Sequence, residues 1–174
     1  MDTYLERLVE KKKTPLQSFL SVFYYLAAFF ITVFLFGFIN RIPFLSMLYP
    51  LLVAGAFYGA WYLNRNMNLE YEYILTNDEL DVDKIAGKSA RKRLLTVSVR
   101  NFEVMRPATD SEMQRLNADN SINVRLDASE GPENRYYAIF NNRQNQRMLL
   151  IFNPTEDMKK SIKQHNMRNV FLDY

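Results

Sequence analysis

Between residues 14 and 64 the chain contains a single charged residue, Arg41, although the whole sequence is 24% charged. Two apolar stretches, residues 16–39 and 42–63, lie within this segment. A helix of about 20 apolar residues crosses the roughly 30 Å hydrocarbon core of a bilayer. Because each stretch is long enough to do so, the sequence predicts a two-helix transmembrane hairpin over residues 14–65.

Basic residues beside the two stretches predict how this hairpin is oriented. Lys11, Lys12 and Lys13 precede the first span and Arg65 follows the second, whereas the short connector carries only Arg41. By the positive-inside rule, both termini of this multi-pass cell-membrane protein are then cytoplasmic. A cleaved signal peptide is disfavoured, because the first stretch is long, lacks a convincing cleavage site and is followed at once by the second.

Residues 1–13 are predicted to form a short amphipathic helix. Thr3 and Glu6 have the spacing of a capping box, and the apolar residues that follow fall on one side of a helix. Those residues are Leu5, Leu8 and Val9. Two placements stay open: the helix lies along the inner leaflet, or it packs on the soluble domain.

Small residues in the second span are candidates for helix packing, since they let two backbones approach closely. They are Gly55, Gly59, Ala56 and Ala60. They could pack against Ala27 and Ala28 of the first span or mediate a homodimer. Neither span contains Asp, Glu, Lys or His, which argues against transport by the hairpin alone.

After residue 66 the pattern changes from long apolar stretches to alternating apolar and polar residues, which is typical of strands. Residues 66–174 are predicted to form one cytoplasmic α+β domain of about seven antiparallel strands and a C-terminal helix. A change of parity near Arg100 indicates a bulge or tight turn there. The helix is expected to start at Asn153-Pro154-Thr155-Glu156, with Asn153 as its cap, and to run to about residue 166.

Four basic residues, Lys88, Arg91, Lys92 and Arg93, are the candidate lipid-binding site. They follow Ala86-Gly87 in a predicted loop, where each could contribute about 1 kcal/mol at an anionic membrane surface. The competing interpretation is a solvated charge run that Asp81 and Asp83 neutralise from the neighbouring strand.

Other chemistries find little support in the residues. The net charge of +3 comes from the residues flanking the spans, and the soluble part is balanced, so nucleic acid is not an expected partner. Asp78, Glu79, Asp81 and Asp83 lack the glycine and terminal glutamate of a calcium loop. The chain has no cysteine, one histidine (His165) and no nucleotide-binding or hydrolase motif. We therefore expect no enzyme activity, no cofactor and no metal.

Two segments resemble bacterial pleckstrin-homology-like (PH-like) domains. They are YEYILTNDELDVD at residues 71–83 and RMLLIFNPTEDM at residues 147–158. The chain as a whole is similar to a family of two-span membrane proteins from Gram-positive bacteria. The resemblance implies a PH-like antiparallel β-barrel or sandwich that closes with a helix, and a binding or assembly role at membranes, with no catalytic motif to transfer.

Three functions are compatible with these features. The first is a membrane-anchored, noncatalytic interaction or assembly module that binds an unknown membrane or cytoplasmic protein, or its own copy. The second is an anionic-lipid sensor that uses residues 88–93 against the bilayer. The third is an accessory subunit of a larger membrane complex.

Overall fold

The computed structural model describes residues 3–39, 41, 45–142 and 144–172. The chain divides into two compact units. Lys13–Asn68 forms a helical unit, and the residues before and after it together form a β domain. The domain is therefore built from two segments separated by the helices.

The described residues of the helical unit form α1 (Pro15–Ile39), a short 3₁₀ turn (Leu45–Leu48) and α2 (Tyr49–Met67). Near one end of the pair, Ser21 donates a hydrogen bond to Asn64. Near the other end, the rings of Phe36 and Tyr49 are 5.4 Å apart. These contacts place α1 and α2 side by side and antiparallel.

Among the described residues, α1 is the one helix long and apolar enough to cross a membrane. It could serve as a membrane span or as a signal anchor. The predicted second span starts at residue 42, but the connector positions 40 and 42–44 lie outside the described residues. The described part, α2, begins at Tyr49 and contains the polar sequence Asn64-Arg65-Asn66 near its end, so its 19 residues are long enough but not apolar enough by the same measure.

The described residues of the β domain form eight strands and two α-helices. In the first sheet the order is β1 (Tyr4–Glu10), β2 (Leu69–Thr76), β3 (Glu79–Ala86) and β4 (Ala90–Ser98), with every pair antiparallel. The second sheet has the order β5 (Phe102–Pro107), β7 (Tyr136–Asn141), β8 (Arg147–Phe152) and β6 (Val124–Asp127). The helices are α3 (Asp110–Ala118) and α4 (Glu156–His165).

The prediction of an amphipathic helix over residues 1–13 is wrong, because Tyr4–Glu10 forms strand β1. All seven of its residues pair with β2, from Tyr4 opposite Thr76 to Glu10 opposite Glu70. The same residues also alternate, so that Leu5 and Val9 face the core while Glu6 does not. A helix this short is marginal in isolation, whereas the open edge of β2 supplies a partner for the whole backbone segment.

One feature of the second sheet differs from the prediction of antiparallel strands. Strand β6 is parallel to β8, which is possible because the chain between them passes through β7. Between β5 and β6 the chain forms α3, whose cap Thr109 accepts a hydrogen bond from the backbone N–H of Glu112. The α+β class and the closing helix α4 agree with the sequence, and the domain consists of two sheets.

One core joins the two sheets. Its largest fully buried side chains are Tyr73 from the first sheet and Phe102, Phe140 and Phe152 from the second. The chain passes from β4 to β5 through a 3₁₀ turn at Val99–Asn101, which is where the parity of the sequence changes. The expected bulge or tight turn near Arg100 is therefore this turn.

Helix α4 starts two residues later than its sequence suggests, with Thr155 as the cap in place of Asn153. The Thr155 side chain accepts from the backbone N–H of Met158 at 3.2 Å. Asn153 is instead buried and accepts from the backbone of Glu130 while donating to the carbonyl of Glu133. Its amide is used to fix the 130–133 loop, which leaves the hydroxyl of Thr155 to cap the helix.

Candidate interaction surfaces

The predicted basic loop is a tight turn between β3 and β4. Gly87 and Lys88 both have positive φ angles, 57° and 61°, and the N–H of Ser89 donates to the carbonyl of Ala86. Two successive positive φ values are typical of a type I′ hairpin turn. The Lys88 side chain is 75% exposed, and its Nζ lies 4.0 Å from Glu10 on β1.

Two of the four candidate lipid-binding residues, Arg91 and Arg93, are held by carboxylates on the outer face of the first sheet. Arg91 contacts both carboxylate oxygens of Glu72 at 2.9 and 2.8 Å. Arg93 contacts Asp83 and Asp81, each at 2.9 Å. These pairs reduce the positive charge that the segment can offer to a membrane.

A bulge at Leu94 explains why Arg93 reaches these carboxylates. Val82 lies opposite Leu95, but the next pair is Asp83 with Arg93, so Leu94 is an extra residue in β4. An extra residue reverses the face to which the preceding side chains point. From alternation alone, Arg93 would share the core-facing parity of Leu95.

Glu72 is an unusual residue for a sheet face, since its side chain is only 6% exposed. Burial raises the pKa of its carboxyl, the Arg91 guanidinium opposes that rise, and the neighbouring Glu6 adds to it. The Glu72–Arg91 pair is thus a partly buried ion pair in which the acid carries most of the desolvation cost.

The structure places the four candidate lipid-binding residues on one β-hairpin but in different situations. Arg91 and Arg93 are paired with buried carboxylates, and Lys88 is exposed near Glu10. Lys92 lies opposite Lys84 and has no ion-pair partner within the described part of the chain. Of these four residues, Lys88 and Lys92 are therefore the ones more available to an external anion.

The candidate helix-packing residues divide between two sides of α2. Ala60 is buried and Ala56 is half-buried. A Cβ atom added to Gly55 or Gly59 would meet nothing within 4 Å. Ala60 therefore lies on the side of α2 that is buried in the helix pair, as Ala28 does in α1, whereas Gly55 and Gly59 have open space beside them.

A groove that the sequence did not reveal lies beside β4, with a volume of about 550 Å³. One wall is the second half of β4, residues 94–98, and the other is the β7–β8 turn. Its apolar lining is Leu94, Leu95, Val97, Val124, Phe140 and Met148. Alternation identified these strands, but it carries no signal for which strand lies at the edge of a sheet.

The turn that forms the second wall is held by one side chain. The carbonyl oxygen of the Asn142 side chain accepts from the backbone N–H groups of Gln144 and Gln146 at 2.9 and 2.8 Å. The Asn142 N–H also donates to the backbone carbonyl of Gln146 at 2.9 Å. The groove is therefore bordered by a turn with several fixed hydrogen bonds and by a regular strand.

A second depression, of about 630 Å³, lies at the start of α4 and contains three cations. Each has a carboxylate partner: Arg7 is 3.9 Å from Glu130, Arg135 is 2.8 Å from Asp110, and Lys159 pairs with Glu156. Lys159 also lies over the ring of Tyr136. The positive charge of this depression is thus neutralised by the protein itself.

Acidic residues near β3 are also committed to local contacts. Asp78 accepts from Ser98 and pairs with Arg100, and these contacts hold the pKa of Asp78 below its ordinary value. Among the described residues, no group of three His, Asp or Glu side chains could hold a metal ion. The described geometry directs attention to the groove and the basic turn.

The fold agrees with the comparison to protein families. The model of a family described as "Bacterial PH-like domain (DUF6106)" matches residues 1–172. The chain belongs to this family. No curated protein and no solved structure matches the chain. Membership in this PH-like family points to a noncatalytic interaction module, and the match includes β1 together with the helical unit.

Proposed function

We propose that this protein is a membrane-anchored, noncatalytic interaction module. In this proposal α1 and α2 both cross the cell membrane and hold the PH-like domain on its cytoplasmic side. There the domain binds a protein partner.

The observation that carries the proposal is the pairing of β1 with β2. β1 precedes the helical unit and β2 follows it, yet the two strands are neighbours along their whole length. Strands of one sheet must lie on the same side of a membrane, so the chain between residues 11 and 68 crosses an even number of times. If α1 crosses, the chain must return, and α2 (Tyr49–Met67) is the described helix available for the second crossing.

The same pairing argues against a single signal anchor or a cleaved signal. Either would separate Tyr4–Glu10 from β2, and the first sheet would lose an edge strand and Val9, a buried core residue. The lysines at positions 11–13 and Arg65 favour the cytoplasm for both ends.

Labelling of single cysteines tests this topology, because the chain has no cysteine of its own. Arg41→Cys, Thr3→Cys and Ala90→Cys are each introduced into the full-length protein in cells. We expect a membrane-impermeant maleimide to label position 41 from outside, and positions 3 and 90 only after permeabilisation.

Two other labelling patterns would contradict the topology. Opposite sidedness of positions 3 and 90 would mean a single crossing and no β1–β2 pairing. Labelling of all three positions from the cytoplasm alone would mean that α1 does not cross. A stoichiometric protein that copurifies after light cross-linking of native membranes would then identify the partner of an anchored module.

Contact with anionic lipid is the second candidate function, and the position of Lys88 favours it. Leu69 pairs with Ala86, and the N–H of Lys11 donates to the carbonyl of Leu69. The β3–β4 turn thus shares one end of the sheet with the points where the chain enters and leaves the helical unit. A cation at that end would be close to the head groups of an anchoring membrane.

A fluorophore on Ala90→Cys tests this contact in lipid nanodiscs. We expect its emission to change when neutral lipid is replaced by phosphatidylglycerol, and Lys88→Glu with Lys92→Glu to abolish the change. Arg91→Gln is the matched comparison, because that guanidinium is already paired with Glu72. An emission insensitive to lipid charge would remove the lipid-sensing function and leave the anchored module untouched.

The open side of α2 supports the remaining alternatives, a homodimer or an accessory subunit of a membrane complex. A neighbouring helix could approach Gly55 and Gly59, where no side chain of this chain lies within reach of an added Cβ. Copurification in mild detergent distinguishes them, since a homodimer yields this chain alone and a subunit yields other membrane proteins.

A further inference from the structure

The groove beside β4 borders an open sheet edge. β4 is the last strand of the first sheet, and no backbone hydrogen bond from residues 94–98 leads away from β3 within the described structure. The edge of β5 is different, because Met105 forms a parallel bridge with Val170 and two further backbone bonds to residues 169 and 171. Most sheet edges in native proteins are covered or otherwise protected. An open edge beside a groove is therefore a site where a strand from another chain can pair.

The register shows which backbone groups of β4 are available. The two-residue turn Asn77-Asp78 makes Thr76 and Glu79 a hydrogen-bonded pair. Since backbone groups alternate along a strand, Leu80 bonds to Val97, and the N–H and C=O of Thr96, opposite Asp81, point away from β3. Thr96 lies at the middle of the groove wall and can pair with an incoming backbone.

The size and lining of the groove fit a short extended peptide. Residues 94–98 span roughly 16 Å at about 3.3 Å per residue. The floor offers Leu94 and Val124, both partly buried at the rim of the main core. A strand has side chains on alternate faces, so an occupant would place every second side chain against this apolar floor.

The charge of the described lining residues disfavours an anionic occupant. Glu79 is the one charged side chain among the described lining residues, and the polar rim consists of hydroxyls and amides. The rim residues are Thr96, Ser98, Asn101, Asn141, Asn142, Gln144 and Gln146. Among the described lining residues, a phosphate or an acidic peptide would meet one carboxylate and no cation, and Glu79 would repel it, whereas Glu79 would not repel an uncharged or singly basic peptide.

We propose that the open edge of β4 binds an extended, uncharged or singly basic peptide segment of a partner protein, which adds to the first sheet as a fifth strand. This inference rests on the proposed function and specifies its partner class. Backbone bonds to Thr96 give the affinity, and apolar side chains at alternate positions give the selectivity.

Synthetic peptides test strand addition on the full-length protein in nanodiscs. The probe is a fluorescent, end-blocked peptide of alternating valine and threonine with one lysine, long enough to cover residues 94–98. Two isomers carry N-methyl groups on one or the other alternate set of residues. A strand offers only one set of N–H groups to β4, so we expect one isomer to lose at least about tenfold in affinity and the other to bind like the parent.

Variants of Thr96 provide the matched test in the protein. Both Thr96→Val and Thr96→Pro lose the hydroxyl bond to Asp81, but only proline removes the outward N–H. We expect Thr96→Val to retain binding and Thr96→Pro to lose at least about tenfold. The N-methylated peptides need no variant, so they decide the question even if Thr96→Pro does not fold.

Three results would overturn the inference. Equal affinity for both N-methylated isomers and the parent would exclude backbone pairing, and no binding by any peptide would exclude the site. Dimerisation of the protein that Thr96→Pro abolishes would give the edge to a second copy of this chain. None of these results affects the cysteine-labelling pattern, so the membrane topology stands or falls separately.

Discussion

In α1, Phe30 and Phe34 are 66% and 67% exposed, whereas in the β domain Phe140 and Phe152 are 1% and 0% exposed. Burying apolar surface is worth about 25 cal/mol per Å² in water. The β domain gains this stabilisation from its own core, and the helical unit leaves most of it unused. The same residue type is therefore directed inward in one unit and outward in the other, which is the arrangement expected if lipid surrounds the helices.

The largest expected effect comes from removing one phenylalanine side chain from the core of the β domain. Phe152→Ala should lower the free energy of unfolding of the β domain by about 3–5 kcal/mol, because it leaves a cavity beside Tyr73. The two rings are 5.7 Å apart and perpendicular. Hydrogen exchange of β7 and β8 in the full-length protein measures the loss.

Phe34→Ala is the matched control for this cavity, since it removes the same side chain from the exposed surface of α1. We expect the exchange rates of the β domain to stay unchanged. An equal loss from both substitutions would show that Phe34 is buried in the functional state, and the contrast between the units would fail.

Within the helical unit, overpacking distinguishes the buried side of α2 from the open one. Ala60→Leu should weaken the helix pair by about 1–3 kcal/mol, because Ala60 is 5% exposed. Gly59→Leu should have little effect on the pair, since an added Cβ meets nothing within 4 Å. Disulfide formation between Ser21→Cys and Asn64→Cys reports the pairing, and the chain contains no competing thiol.

The opposite ranking would contradict this assignment of the two sides of α2. A fall in cross-linking for Gly59→Leu with none for Ala60→Leu would place the glycine side, and not the alanine side, against α1. Loss of a detergent-stable oligomer in Gly59→Leu alone would support the homodimer.

Much of the β domain could be predicted because its strands alternate. The strands begin after residue 66 as predicted, and the turn at residues 99–101 and the helix at residues 156–165 lie near their predicted places. Alternation reports which side chains share a face, but not which strand is the neighbour. The parallel pairing of β6 with β8 and the open edge of β4 depend on neighbours, so neither was readable from the sequence.

The N-terminal error has a different cause. Leu5, Leu8 and Val9 satisfy a helical spacing, while Leu5 and Val9 also satisfy a strand spacing, so a seven-residue segment is ambiguous by pattern. Its strand partner, β2, is about 60 residues away in sequence, at Leu69–Thr76. Local propensity was overridden by a long-range partner that no local pattern contains.

The outer face of the first sheet is an exception to the contrast between the units, because the β domain buries a charged side chain there. Arg91→Gln should lower the free energy of unfolding by about 1–2 kcal/mol near neutral pH, since it leaves the Glu72 carboxylate buried without a cation. Glu72→Gln should cost less, because the remaining Arg91 side chain is 54% exposed and can be hydrated. Chemical denaturation of both variants measures the asymmetry.

The pH dependence of this pair has a defined sign. Burial raises the pKa of Glu72 above its ordinary value of 4.5, so the folded state binds this proton more tightly than the unfolded state. The stabilisation that the folded state gains from this tighter proton binding is fully present below about pH 4.5. It is lost as the pH rises through the folded-state pKa of Glu72. We expect the loss of unfolding free energy in Arg91→Gln to grow as the pH rises through the folded-state pKa of Glu72. The loss in Glu72→Gln should not grow over this range. Parallel plots of unfolding free energy against pH for the two variants would contradict this account.

The smallest expected effect concerns Lys88, in the β3–β4 turn. Four non-glycine residues within the described ranges have positive φ, namely Asn77, Asn134, Asn145 and Lys88. Asparagine tolerates this conformation better than lysine, so Lys88→Asn should stabilise the β domain by about 0.5–1 kcal/mol and Asn145→Lys should destabilise it by a similar amount. A stabilised Lys88→Asn that also loses its response to phosphatidylglycerol would indicate that the lysine is kept at a strained position for its charge. Stabilisation with an unchanged response would leave Lys88 a feature of the turn alone.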